Sequence, residues 1–102
     1  MEMCLTGIQI TAQEALAAGL VARVYPVDQL LNEAIKMAET IANLSQPVVA
    51  LCKESVNTAY ETSLNNGLNV ERRLFHSTFA LSDQKEGMKA FVEKTKPNFT
   101  HS

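Results

Sequence analysis

The 102-residue sequence has no tryptophan and only two histidines, two cysteines and four glycines. Each scarcity removes a class of chemistry. His76 and His101 have no second histidine or cysteine at ligand spacing, so no metal site is expected. Cys4 and Cys52 stand far apart and make no C-x-x-C pair, which leads to the expectation of two reduced, buried thiols. No Gly-rich loop is present to cradle a phosphate. Nine basic residues stand against eleven acidic ones, for a net charge of −2. That balance argues against a nucleic-acid partner but leaves room for a local anion site. No apolar run approaches the roughly 18 residues of a membrane span, so no membrane partner is expected. The first basic residue is Arg23, so residues 1–22 do not read as an Arg-rich leader.

What is present is helical pattern. Hydrophobic residues make up 46% of the chain and charged residues 20%, which fits at most one folded domain and excludes a disordered chain. Met1 to Thr6 resembles the end of a helix, with Gly7 as a left-handed stop. Thr11 and Glu14 form a T-x-x-E capping box that opens a short helix ended by Gly19. Leu20 to Tyr25 is β-branched and aromatic and stops at Pro26, so one short strand is expected there. Asp28 should cap a helix running to about Leu44, with Leu31, Ala34, Ile35, Ala38, Ile41 and Ala42 on one apolar face. Pro47, at the first helical position, opens another helix ending near Glu61. A further helix is expected from Leu64 to Leu81.

The last helix, from Ser82, should be capped by Asp83 and Glu86 and carry a stripe of Met88, Phe91 and Val92. Lys89, Lys94 and Lys96 gather at its C-terminal end, where cations suit the helix dipole, and Pro97 stops it. Such a helix either packs as core or docks an anionic ligand. The tail with His101 is expected to fray. An uncapped first helix and a strand without a partner both suggest that more chain precedes Met1.

Catalytic groupings are sparse. Cys52 and His76 lack any third orienting group, and Cys52 falls on an apolar stripe. The glutamates look like hydrated surface groups beside lysines, as Glu33 is to Lys36. Arg72 and Arg73 read either as a phosphate clamp or as surface ion-pair formers. No catalytic residue is assigned.

Two segments, however, carry a resemblance. Leu5-Thr6-Gly7, Ile10, Ala12, Glu14-Ala15, Gly19-Leu20-Val21, Val24 and Pro26 form the first. Asp83, Glu86-Gly87, Ala90-Phe91, Glu93-Lys94, Lys96-Pro97 and Phe99 form the second, with Lys53-Glu54-Ser55 and Asn57 between them. Together they resemble the C-terminal part of the enoyl-CoA hydratase (crotonase) family, especially its mitochondrial short-chain members. Thr95 stands where the family commonly has arginine.

The resemblance implies a mainly α segment of a crotonase (ClpP/crotonase-like) fold. Residues 1–27 would be the end of the core, and residues 28–102 a helical segment for trimerisation and for covering coenzyme A. It also implies a lyase of fatty-acid β-oxidation in the mitochondrial matrix, assembled as a trimer or hexamer. Such an enzyme hydrates trans-2-enoyl-CoA thioesters, with acyl-CoA as substrate and no separate cofactor. By resemblance, Phe91 and Lys94 contact the adenine and phosphate end of coenzyme A, with Lys96 and Arg73 as weaker candidates. The family's two catalytic glutamates and its oxyanion hole have no counterpart in residues 1–102, so this chain alone is expected to be inactive. The alternative is a stand-alone helical module that binds acyl-CoA or another subunit.

Overall fold

The computed structural model describes residues 1–102, which separate into two units, Met1–Met37 and Ala38–Ser102. In the first unit, α1 (Glu2–Thr6) ends at Gly7 with φ 70°, a left-handed conformation that glycine adopts without strain. Helix α2 (Ala12–Ala17) opens with the expected capping box. Glu14 N–H donates to Thr11 Oγ1 at 3.2 Å, and Thr11 N–H donates back to Glu14 Oε2 at 2.7 Å. These bonds satisfy two N–H groups that helix geometry leaves free. Thr11→Ala is expected to loosen α2 by about 1 kcal/mol, read as roughly fivefold faster amide exchange at Glu14. Ala15 is buried, and Gly19 closes the turn at φ 73°.

The expected strand at residues 20–25 does not form; the chain from Leu20 to Pro26 is bend and irregular backbone. A strand needs a neighbour for its N–H and C=O groups, and these 102 residues supply none. Helix α3 (Val27–Ala42) begins one residue before Asp28, which therefore lies in the first turn rather than at the cap. The Pro26 carbonyl accepts the N–H groups of Gln29 and Leu30. The helix stops two residues short of Leu44, where the Asn43 amide covers the Glu39 carbonyl at 2.8 Å. Lys36 and Glu33 form the expected surface ion pair.

The second unit holds α4 (Gln46–Glu61), α5 (Leu64–Ser77), a 3-10 turn (Thr78–Ala80) and α6 (Ser82–Glu93). Pro47 occupies the second helical position of α4, not the first, where its missing N–H is still harmless. The helix expected to reach Leu81 tightens at Thr78 instead. Ser77 and Thr78 turn their hydroxyls back onto the Leu74 and Phe75 carbonyls, a local competition that ends α helices. Helices α4 and α5 pack together, and the 3-10 turn links α5 to α6. Phe75 and Phe79 meet edge to face at 5.4 Å.

Very little of this is covered. Ala15 and Ala90 are the buried hydrophobic residues, whereas Leu31 is 70% exposed, Ile35 46% and Ile41 50%. The apolar stripes form where their periodicity places them, but they face outward. Both cysteines, expected to be buried, are exposed.

Candidate ligand-binding corner

Helix α6 and the residues after it form one local construction. The D-x-x-E pattern at Asp83 and Glu86 does not cap α6 as the sequence suggests; Leu81 occupies the cap position and no side chain caps the helix. Both carboxylates bind the C-terminal strap instead. At Lys94 the backbone turns left-handed (φ 54°, ψ 39°), its N–H and that of Thr95 both reaching the Ala90 carbonyl. The chain then doubles back along α6.

Asn98 N–H donates to Glu86 Oε1 at 2.9 Å. Phe99 lies against Gly87, where a Cβ would stand 3.5 Å from its ring. Thr100 donates to Asp83 Oδ1 from its N–H at 2.7 Å and from its hydroxyl at 3.3 Å. His101 N–H donates to Asp83 Oδ2 at 2.9 Å. The frayed tail expected from sequence is therefore an ordered strap, and the carboxylates that looked like a cap are its anchors.

The strap also supplies the caps that two helices lack. Ser45 makes no side-chain cap bond at the start of α4, and the first N–H of that helix, from Gln46, goes to His101 Nδ1 at 3.2 Å. At α6 the free N–H of Asp83 is taken by the Ser102 carbonyl at 3.0 Å. Both are groups that a helix start leaves unpaired.

Asp83 is 2% exposed. Burial alone pushes its carboxyl upward and is the largest single influence. The Ser45 hydroxyl, the Thr100 and His101 amides and the Thr100 hydroxyl together outweigh it and hold the carboxyl below its ordinary 3.8. The Ser45 oxygen is itself buried without a partner at full hydrogen-bond geometry. A carboxyl lowered on folding stabilises the fold above its ordinary value and loses that effect as pH falls through the folded one. The strap is thus expected to hold at neutral pH and to loosen below about pH 3.8. Amide exchange at Thr100 and His101 against pH checks this.

The sequence-predicted ligand residues fall at the other end of α6. Phe91 is 80% exposed on the last turn of α6, three residues before the left-handed Lys94 that ends the helix. Lys94 is exposed at the reversal and Lys96 is exposed just beyond it. Arg73 stands apart on α5, exposed and without an ion pair. An open aromatic face on the last turn of a helix, followed in the chain by two exposed cations, is chemistry that suits a purine carrying phosphates. A shallow open groove lies elsewhere, at the strap end, lined by Ser82, Lys85, Lys89 and the engaged carboxylates.

The sequence profile of the enoyl-CoA hydratase/isomerase family matches residues 1–102. A probable mitochondrial enoyl-CoA hydratase of Dictyostelium discoideum is 59% identical over 99 residues, spanning 97% of this chain and 36% of that protein. The mitochondrial enoyl-CoA hydratase of Pongo abelii is 56% identical, spanning 97% of this chain and 34% of its own. Among solved structures, the enoyl-CoA hydratase of Bacillus anthracis superposes with a TM-score of 0.91 at 37% identity, covering 99% of this chain and 39% of that one. The chain therefore spans about a third of the length of the curated relatives it matches.

Proposed function

This chain belongs to the enoyl-CoA hydratase/isomerase family, and from that premise we propose that it is the C-terminal helical part of an enoyl-CoA hydratase. Its residues hold and cover the coenzyme A end of a trans-2-enoyl-CoA substrate, and the chemistry belongs to residues outside 1–102. The observation that carries this reading is the end-to-end similarity of residues 1–102 to about a third of each hydratase relative. The outward-facing apolar stripes support a part of a larger fold over a closed, free-standing bundle.

Residues 1–27 are then the end of the crotonase core, and residues 28–102 the segment that packs subunits into a trimer or hexamer. Water addition across the 2,3-double bond relies on a pair of glutamates and an oxyanion hole in the preceding core. Residues 1–102 alone are inactive on this reading. In the assembled enzyme Phe91 offers a face to the adenine and Lys94 meets phosphate, with Lys96 and Arg73 as weaker contacts. The two mitochondrial relatives support a mitochondrial setting, while the Bacillus neighbour is bacterial; a place in fatty-acid β-oxidation in the matrix is what the family resemblance implies.

Lys94→Ala, made in a chain that carries residues 1–102 behind a family core, is expected to raise KM for enoyl-CoA about tenfold with kcat little changed. An unchanged KM removes Lys94 from the site.

A further inference from the structure

The strap touches none of Phe91, Lys94 or Lys96 through its anchors, yet it determines where the chain goes after α6. Lys94 holds a left-handed conformation that costs a non-glycine residue roughly 1 kcal/mol. The Lys94 and Thr95 N–H groups close the turn on the Ala90 carbonyl, and the strap anchors hold the chain that follows. The anchors begin only four residues later, at Asn98, and tighten at Thr100 and His101. Of the anchoring groups, Asp83 is the one that is buried and fully engaged: its two carboxylate oxygens accept three bonds from the strap, and its own N–H donates a fourth.

We propose that Asp83 is a positioning residue for the ligand-binding corner: by fixing the strap it steadies the Lys94–Lys96 reversal and holds those two cations just beyond the α6 turn that carries Phe91, as a preformed site for a phosphorylated nucleotide. The proposal rests on the coenzyme A reading above and adds a residue at the far end of α6 that touches no ligand. Preformation is the physical point. Two lysines on a loose tail lose conformational freedom when they meet a phosphate, whereas lysines on a pinned reversal have lost backbone freedom already. Freeing the strap should therefore weaken binding without removing a single ligand contact.

The test uses residues 1–102 joined behind a family core, with coenzyme A as the probe, its affinity read by calorimetry and strap exchange by hydrogen–deuterium exchange. Asp83→Ala is expected to speed amide exchange at Asn98, Thr100 and His101 and to weaken coenzyme A about tenfold. Lys94→Ala should weaken it by a similar factor while leaving strap exchange slow. The double variant should lose little more than either single, because the two act on one contact. Asp83→Asn, which keeps the volume and one acceptor oxygen, should fall between Asp83→Ala and the unsubstituted chain in both readouts, and this guards against simple unfolding of the alanine variant.

If Lys94→Ala weakens binding and Asp83→Ala frees the strap but leaves affinity unchanged, the positioning role is overturned and the coenzyme A site stands. If Lys94→Ala has no effect, or the unsubstituted chain binds no coenzyme A, the site reading itself falls and the positioning role with it.

Discussion

Residues 1–102, purified alone, are expected to bind a hydrophobic reporter dye such as anilinonaphthalene sulfonate at neutral pH and to self-associate as concentration rises. The apolar side chains left open include Leu31, Ile35 and Ile41 on α3 and Val56, Tyr60, Leu64 and Leu68 on α4 and α5. Exposed stripes of this extent are what dyes and other copies recognise. A monomer that binds no dye and unfolds in one sharp transition would show that these faces need no partner.

The second large effect depends on context. Ile35→Asp combined with Ile41→Asp should change the stability of the isolated chain by no more than about 0.5 kcal/mol per site, because both side chains are half exposed. Dye binding should fall. In a chain carrying a family core ahead of residue 1, the same pair should cost at least about 3 kcal/mol, since a covered carboxylate without a partner is expensive to desolvate. For a chain of that size the loss corresponds to roughly 6–12 °C in Tm. Equal effects in the two contexts would mean that α3 is not covered by the remainder of the protein.

Much of the local structure was legible because its causes are local. The Thr11–Glu14 box and the glycine stops at Gly7 and Gly19 involve groups only a few residues apart, and each formed as written. The strand at residues 20–25 was misread because β-propensity describes a fit to a neighbouring strand, and none is available. Asp83 and Glu86 were misread for the opposite reason. Their i, i+3 spacing satisfies a cap pattern, but donors 12 to 18 residues further on compete for the same oxygens and win.

Nothing marked the reversal in advance, since Lys94 stands where a glycine or asparagine usually signals a left-handed stop. Pro97 and Phe99 were the available hint. A proline soon after a helix followed by an aromatic suggests a chain that returns to the helix, and Phe99 does return, against Gly87. Periodicity placed the apolar stripes correctly, but it does not tell a covered face from an open one, and these are open. The candidate ligand residues Phe91 and Lys94 came from resemblance, and the structure adds that both are exposed.

The central claim is that these residues position substrate while the chemistry lies elsewhere in the protein. The most direct measurement is the hydration of trans-2-butenoyl-CoA, followed by loss of the conjugated thioester absorbance, with residues 1–102 alone and with the same residues joined behind a family core. The account predicts no acceleration over solvent by residues 1–102 alone and turnover by the joined chain. Turnover by residues 1–102 alone, or a joined and folded chain that leaves the enoyl thioester untouched, would contradict it.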